Sequence, residues 1–311
     1  MSNQVLIVDK NTMKKMQAYY EPSSTGKIPP GGVFAAKTSG CSITGYKSGK
    51  VLFQGRDASN EAGKWGSVNN VSPNAKSTTS VKKKTSLPSN FANLSVIGSD
   101  EVGTGDFFGP ITVCAAYVRQ EDMDILKHAG VKDSKALTDE KIIEIAREII
   151  PFVPYSLLVL HNEKYNKMQQ TGMTQGKMKA LLHNKALENV LNKISPEKPD
   201  AILIDQFAEE NVYYRHLTGQ KTIVKENVYF QTKAEGLHLS VAAASIIARY
   251  AFLKEMDKLS EVAQLTIPKG AGAIVDQAAA KVIKKHGEGM LWQLAKVHFA
   301  NSEKAKRLAR K

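Results

Sequence analysis

Alternating apolar and polar positions predict a small structured region at the start of the chain. Residues 5–8 form an apolar run typical of a strand, and Asn11 is placed to cap a helix with Met13, Met16 and Tyr20 on one face. Three further short strands and a closing helix follow, over residues 32–37, 42–47, 50–54 and 58–65. Their order predicts a curved antiparallel sheet with helices on one face.

Beyond residue 92, strand-like segments alternate with helix-like ones. The predicted strands cover residues 94–98, 111–118, 153–160 and 201–204. The first predicted helix begins after the cap Thr138 and ends before Pro151. Further helices are predicted over residues 175–194, 238–259 and 273–285, and again near the end of the chain. This alternation is typical of a mixed α/β domain with a central sheet.

The stretch between the two regions has the composition of a linker. Residues 71–91 are dominated by Ser, Thr, Lys and Pro and show no helical or strand periodicity. We therefore predict an N-terminal domain over residues 1–70, a flexible basic linker over 71–91 and a second domain over 92–311. The length of 311 residues agrees with two domains, because domains typically have roughly 100–200 residues.

The uneven distribution of charge favours a polyanionic partner. The chain carries 43 Lys plus Arg and 30 Asp plus Glu, a formal charge of +13. Residues 1–91 contain 13 basic and 4 acidic residues, whereas residues 92–311 contain 30 and 26. A cationic module beside a nearly balanced one favours nucleic acid over membrane as the partner, although a merely basic surface has the same composition.

Several classes of protein are excluded by composition. Two cysteines, Cys41 and Cys114, are too few for a disulfide framework or a Cys-rich metal site, so we interpret both as buried apolar residues. No apolar run reaches the roughly 18 residues that a membrane span needs, and the N-terminus does not resemble a signal peptide. We therefore expect a cytoplasmic protein without a membrane partner.

Adjacent acids follow the first strand of the second region. Asp100 and Glu101 lie within the segment SDEVGTGD at residues 99–106. Neighbouring carboxylates at a strand end repel each other, and Mg²⁺, which prefers oxygen ligands, relieves that repulsion. Gly103 and Gly105 would allow a sharp turn and a close approach to a phosphate or sugar. The pattern indicates a metal or phosphate site, with an exposed hairpin carrying incidental acids as the alternative.

Two more acids lie in informative positions. Asp205 ends the apolar strand at residues 201–204, where open α/β sheets often place a ligand-binding side chain. Glu235 precedes a helix rich in Ala and Ser, whose small side chains would let it pack closely on a sheet and bring Glu235 towards the same site. Spacing alone does not establish that these acids converge.

Taken together, the motifs resemble those of the type 2 ribonucleases H. They are SDEVGTG at 99–105 with GP at 109–110, KDSKAL at 132–137, ID at 204–205, and KAE at 233–235 leading into AASIIAR at 243–249. The resemblance implies a ribonuclease H-like catalytic domain with a mixed central sheet and flanking helices. It also implies endonucleolytic cleavage of the RNA strand in RNA–DNA hybrids. The metal-binding and catalytic carboxylates that it implies are Asp100, Glu101, Asp205 and Glu235, which would bind Mg²⁺ or Mn²⁺, with two ions during catalysis.

Two departures from the family pattern favour the ribonuclease HIII subfamily over ribonuclease HII. Thr104 stands where ribonuclease HII usually has Arg between its glycines, and Glu235 stands where it usually has Asp. The extra N-terminal region agrees with this subfamily. The resemblance implies that this region is a small α+β substrate-binding domain similar to half of a TATA-box-binding protein.

The predicted substrate contacts fall in both domains. In the catalytic domain they are Ser99, Gly103, Thr104, Gly105 and Lys135; the glycine turn would contact 2′-hydroxyls and Lys135 a phosphate, although a structural role suits Lys135 equally. In the N-terminal domain they are Tyr46, Lys47 and Lys50, on the open face of the sheet, where ordinary exposed residues would look the same. His183, with no second ligand at metal spacing, is interpreted as a core or surface residue.

Two other functions remain open at this point. The protein would cut at single ribonucleotides embedded in duplex DNA if it behaved like ribonuclease HII, although Thr104 argues against that activity. It would be a nonenzymatic nucleic-acid-binding protein if the acids were incidental, but carboxylates facing phosphates give a pure binder nothing. We expect a monomer whose partner is an RNA–DNA hybrid.

Overall fold

The computed structural model describes residues 2–26, 28–29, 31–65 and 87–310 of the chain. The chain divides into two compact units, residues 1–81 and 82–311. The predicted boundary at 70 and residues 71–86 of the predicted linker lie outside the described residues, so the three-part division stays a prediction. In the parts that the structure describes, no helix combines the length and the apolar character needed to cross a membrane.

The N-terminal unit is a four-stranded antiparallel sheet with two helices. Its elements are β1 (Ser2–Ile7), α1 (Lys10–Tyr19), β2 (Gly32–Lys37), β3 (Ser42–Tyr46), β4 (Lys50–Gly55) and α2 (Ala58–Gly63). The strand order is β1-β4-β3-β2. Every predicted element of this unit is present. The N-cap of α1 is Asp9 rather than the predicted Asn11, because the Asp9 carboxylate accepts the backbone N–H groups of Asn11 and Thr12 at 2.8 Å.

Alternation along the strands separates a packed face from an open face of this sheet. Val51 and Phe53 of β4 are fully buried against Met16 of α1, as their alternation predicts. On the opposite face Val5 and Ile7 of β1 are 52% and 66% exposed. The unit therefore presents one sheet face without a helical cover among the described residues. Its likeness to half of a TATA-box-binding protein stays a prediction.

The second unit is built on a five-stranded mixed sheet. Its strands are β5 (Val96–Val102), β6 (Ile111–Val118), β7 (Tyr155–Leu160), β8 (Ala201–Asp205) and β9 (Val228–Gln231). The order is β7-β6-β5-β8-β9; β6 pairs antiparallel with both its neighbours, whereas β8 pairs parallel with β5 and β9. The sequence did not predict β9, a four-residue edge strand whose positions are all half-buried and show no alternation.

Helices cover both faces of this sheet. They are α3 (Met123–His128), α4 (Asp139–Ile149), α5 (Asn162–Gln170), α6 (Gln175–Ile194), α7 (Glu210–His216), α8 (Leu239–Ala263), α9 (Ala273–His286), α10 (Met290–Leu294) and α11 (Asn301–Ala309). One hydrophobic core lies between the sheet and α6, and another between the sheet, α4 and α8. The architecture is the predicted mixed α/β domain.

Close packing of α8 on the sheet depends on one glycine. A Cβ atom at Gly98 of β5 would lie 2.3 Å from the backbone nitrogen of Val241 in α8. Only glycine therefore permits this approach, which the small residues at the start of α8 continue. The contact brings the segment just before α8 to the end of β5.

Candidate active site

Three carboxylates converge at one edge of the second unit. Asp100 lies on β5, and Asp205 is the last residue of β8. In this parallel pair Ser99 lies opposite Ile204, so Asp100 and Asp205, the next residue on each strand, are neighbours. Glu235 belongs to a single turn just before α8. One oxygen from each carboxylate lies within 4.8 Å of the other two. The structure thus confirms the convergence that spacing alone left open.

The turn that carries Glu235 is tied directly to Asp205. The Asp205 Oδ1 atom accepts the backbone N–H of Ala234 at 2.9 Å. Lys233, immediately before, adopts a left-handed backbone conformation with φ of 57°, which reverses the chain after β9. Asp100 and Glu235 are only 6% and 5% exposed, so their charges are held in a partly dry cleft.

This donor set fits a hard divalent cation. All three groups offer carboxylate oxygens, the ligands that Mg²⁺ and Mn²⁺ prefer, and among the described residues no His nitrogen or Cys sulfur joins the cluster. Three carboxylates this close, two of them buried and Asp205 half-buried, repel one another unless a cation offsets their charge. The arrangement can therefore bind divalent cations.

The fourth predicted acid, Glu101, lies beside this cluster with both its oxygens occupied. Lys179 Nζ donates to Glu101 Oε1 at 2.7 Å, and His183 Nε2 lies 2.9 Å from Oε2. The other ring nitrogen of His183 lies 2.9 Å from Ser99 Oγ. Burial alone would raise the pKa of Glu101, but the hydrogen bonds and charges of His183 and Lys179 outweigh it and hold that pKa below its usual value.

Glu235 is also bonded to residues from a distant motif. Its carboxylate accepts the backbone N–H and the hydroxyl of Ser134 at 3.0 and 2.8 Å, and Lys135 Nζ at 2.5 Å. The Ser134 hydroxyl lies 2.9 Å from that of Ser245 on α8. Lys135, predicted as a phosphate anchor, is therefore a counter-ion of a site carboxylate in this structure, with a side chain that remains 70% exposed.

The glycine turn after β5 is tightly constrained at only one of its two glycines. Gly103 has φ of 91°, and a Cβ atom there would lie 2.2 Å from the carbonyl oxygen of Pro110. Gly105 has open space where a Cβ would stand, so the protein's own packing does not require glycine there, and its expected close approach to a ligand stays a prediction. Gln175 at the start of α6 donates to the carbonyl oxygen of Thr104 at 3.1 Å and fixes the tip of the turn.

A buried lysine holds the segment beyond this turn. Lys296 is fully buried, and its Nζ donates to the carbonyl oxygens of Asp106 and Gly109 at 2.9 and 2.6 Å. Its backbone N–H also donates to the carbonyl oxygen of Phe107 at 2.8 Å. The C-terminal part of the chain thereby anchors the loop that follows the acidic strand.

Sequence reasoning missed several residues that contact the site acids. His183 is buried, as the interpretation as a core residue implies, but it also bonds Glu101. Lys179 and His183 lie four residues apart on α6, on one helical face, a signal that only becomes informative once the packing of α6 on β5 is known.

Ser99, predicted to contact substrate, is fully buried beneath His183. Of the predicted contacts in the N-terminal unit, Lys47 and Lys50 are exposed and Tyr46 is half-buried.

The pKa of Asp100 gives a testable pH dependence. Burial, followed by the charge of Glu101, raises this pKa to about 8. A divalent cation binds the carboxylate form, so below pH 8 it must displace a proton from the metal-free protein. We expect Mn²⁺ affinity to rise about tenfold per pH unit up to pH 8 and then to level off. Calorimetric titrations from pH 6 to 9, in buffers with different ionisation enthalpies, will measure affinity and proton release; an affinity independent of pH would contradict the expectation.

Comparisons with known proteins agree on one family. The family model described as ribonuclease HII matches residues 97–302, and a model described as a domain of unknown function (DUF3378) matches residues 3–78. The chain is 58% identical to the ribonuclease HIII of Bacillus licheniformis over 314 residues, covering 100% of both proteins. It is 56% identical to the ribonuclease HIII of Bacillus subtilis over 314 residues, covering 100% of this chain and 99% of that protein.

Solved structures give the same result. The crystal structure of Bst-RNase HIII in complex with Mn²⁺ superposes with a TM-score of 0.71 at 47% identity, covering 100% of each chain. The crystal structure of Aquifex aeolicus RNase H3 has a TM-score of 0.54 at 22% identity, covering 94% of this chain and 99% of that one, and at this identity it supports the fold alone. The second unit therefore has a ribonuclease H-like fold, as its motifs predicted.

Proposed function

The chain belongs to the ribonuclease HII family, with relatives named ribonuclease HIII over its full length, and from this premise we propose that Asp100, Glu101, Asp205 and Glu235 are its catalytic carboxylates. Its activity is endonucleolytic hydrolysis of RNA in RNA–DNA hybrids with Mg²⁺ or Mn²⁺. The observation that carries the residue assignment is the convergence of Asp100, Asp205 and Glu235 from three distant parts of the chain.

The charge of the site fits two divalent ions. Four carboxylates carry a formal charge of −4, which two ions of +2 balance, and the charge of the substrate is then left to Lys and Arg side chains. When bound, such ions activate the attacking water and stabilise the leaving 3′-oxygen. Asp100, Glu101, Asp205 and Glu235 would together hold these ions.

The residues around the acids hold them in place and contact the substrate. Ser134 and Ala234 fix the carboxylates of Glu235 and Asp205 through hydrogen bonds, so both acids are oriented before substrate arrives. The backbone of Gly103, Thr104 and Gly105 is assigned to 2′-hydroxyl recognition, supported by the open space beside Gly105. Ser99, being buried against His183, would support Glu101 and act on the substrate only through it.

Lys135 remains a candidate phosphate contact. Its side chain is 70% exposed, so its ammonium can leave Glu235 at little cost once a cation neutralises that carboxylate. The released ammonium would then offset the charge of a nearby phosphate. Both functions, counter-ion and phosphate contact, are compatible with the same short loop.

We assign the N-terminal unit as a platform for the duplex. Its open sheet face carries exposed apolar side chains beside Tyr46 and Lys50, and Lys47 follows the end of β3. Such a surface suits sugar and phosphate contacts without reading base sequence. The monomeric state and the cytoplasmic location remain predictions.

An assay on three substrates tests the function and distinguishes the alternatives. The substrates are a uniform RNA–DNA hybrid, a DNA duplex with one embedded ribonucleotide, and double-stranded RNA. We expect cleavage of a uniform hybrid with Mg²⁺, little cleavage of double-stranded RNA, and none without a divalent ion. Binding to the hybrid without cleavage at saturating Mg²⁺ would instead identify a nonenzymatic binder, which the buried acids do not favour because unneutralised carboxylates repel phosphates.

Thr104 predicts the preference between the two cleavable substrates. Threonine cannot supply the guanidinium that ribonuclease HII usually carries at this turn position, so we expect at least about tenfold faster cleavage of a ribonucleotide run than of one embedded ribonucleotide. Initial rates on duplexes that differ only in ribonucleotide number will measure the ratio. Equal rates would assign the activity to the ribonuclease HII type.

A further inference from the structure

Lys179 is the less exposed of the two lysines bonded to the site carboxylates. Its side chain is 13% exposed, and its ammonium donates to Glu101 Oε1 at 2.7 Å. The same Nζ lies 4.2 Å from the centroid of the Phe207 ring, close enough for a cation–π contact. An acid and an aromatic ring therefore hold this ammonium from two sides.

The two lysines of the site differ in their freedom to leave. Lys135 is mostly exposed and can exchange Glu235 for water. Lys179 lies on the side of α6 that packs against the sheet. If its ammonium moved away, it would lose its contacts with Glu101 and Phe207 and remain as an unpaired charge in a confined space, which is unfavourable. When divalent ions enter the cleft, the positive charge of Lys179 consequently stays beside them.

Glu101 is turned away from the metal cluster by the same contacts. Among the described acids, Asp100, Asp205 and Glu235 share a cluster to which Glu101 contributes no oxygen. Its two oxygens are taken by Lys179 and His183, and the His183 ring is itself fixed by Ser99 and packs 5.0 Å from Phe207 between ring centroids. Four side chains thus determine where this carboxylate points.

We propose that Lys179 is a positioning residue that keeps Glu101 out of the three-acid cluster and thereby weakens divalent-cation binding in the free protein. The inference rests on the proposed function, because it takes the four carboxylates as metal ligands. Two effects act in the same direction: Lys179 competes with the cation for Glu101 Oε1, and its charge repels any cation bound nearby. Removal of the ammonium should therefore improve metal binding, the opposite of what a purely structural residue predicts.

The test is calorimetric titration of Mn²⁺ into the metal-free, full-length protein at a fixed pH. Lys179→Met should bind Mn²⁺ about tenfold more tightly than the unaltered protein, since one unit charge a few ångströms from a divalent ion has an effect of that order even when strongly screened. Lys179→Arg, which keeps the charge, should stay within about twofold. Affinity that is unchanged or weaker in Lys179→Met would overturn the proposal.

A matched control is available on the same helix. Lys185 lies on α6 and pairs with Glu188 at 2.8 Å, but its side chain is 58% exposed. Lys185→Met removes an equal charge and should leave Mn²⁺ affinity unchanged. If Lys185→Met tightens binding as much as Lys179→Met does, the effect is one of net charge and the positioning proposal fails.

Folding and the premise are checked separately. Circular dichroism and thermal unfolding of the metal-free variants will show whether Lys179→Met is folded. If it is not, Lys179→Gln is titrated instead and judged by the same criteria, because glutamine keeps a hydrogen-bond donor without the charge. Asp205→Asn should lose Mn²⁺ binding. Its retention would contradict the proposed metal site, whereas its loss together with unchanged Lys179→Met affinity would contradict only the role of Lys179.

Discussion

Replacement of Asp205 by Asn should abolish hybrid cleavage, lowering kcat on the order of 10³-fold or more. The substitution removes one negative charge from the cluster formed with Asp100 and Glu235. Each tenfold loss of rate corresponds to about 1.4 kcal/mol of transition-state stabilisation, and charge stabilisation by a bound divalent ion is worth several kcal/mol. Loss of that ion therefore accounts for a loss of this size.

The same substitution should leave the fold and the affinity for hybrid largely intact. Asparagine keeps an oxygen that can accept the Ala234 N–H, so the turn before α8 retains its anchor. Asp200→Asn is the matched control, because Asp200 lies just before the same strand and accepts the Ser95 N–H at 2.8 Å, away from the cluster. Single-turnover rates, hybrid affinity and thermal unfolding of both variants will separate chemistry from folding. Near-normal turnover of Asp205→Asn at saturating Mg²⁺ would disprove the four-carboxylate assignment.

Deletion of residues 1–91 should raise KM for the hybrid at least about tenfold and flatten its salt dependence. The deleted part carries 13 basic and 4 acidic residues. Each phosphate contact that is lost removes roughly 0.9 from the slope of log affinity against log salt concentration on B-form DNA, and a hybrid should respond with the same sign. A module bound to the duplex would also tether the catalytic unit to it, which would raise the effective concentration of substrate.

Turnover at saturating hybrid should change much less, because none of the four proposed metal ligands lies in the deleted part. Three hydrophobic cores of the catalytic unit contain none of the deleted residues, whereas a fourth contains Phe91 beside Ala234 and Val241, so thermal unfolding of the truncated protein is measured first to establish that it folds. Kinetics of the full-length and truncated proteins across a salt series will measure both effects, with Lys50→Gln and the exposed Lys185→Gln as single-charge comparisons. Unchanged KM and salt slope would give the module another purpose, and loss of turnover with retained affinity would place part of the active site in it.

Much of the site was readable from local pattern. An apolar run that ends in an acid, as at Asp205, predicts a carboxylate at the end of a buried strand, because only the last residue of such a strand reaches solvent or a ligand. The pair Asp100 and Glu101 was also predicted to end a strand, but β5 continues through both acids to Val102, so the predicted strand end at residue 98 is wrong. Strict alternation around Val51 and Phe53 likewise predicted which face of the N-terminal sheet is packed. These features depend on neighbours a few residues apart, and they could be predicted without tertiary structure.

The environment of each acid was decided by tertiary structure alone. Glu101 meets Lys179 across 78 positions of sequence, and Glu235 meets Lys135 across 100, so neither contact follows from local periodicity. Both arise because α6 and α8 pack on opposite faces of the sheet next to β5, an approach that Gly98 permits for α8. The sequence by itself thus determined which carboxylates the protein possesses and on which elements they lie. The packing of helices on the sheet decided which acids converge and which cation accompanies each glutamate, because side-chain contacts over such separations depend on the whole arrangement of elements.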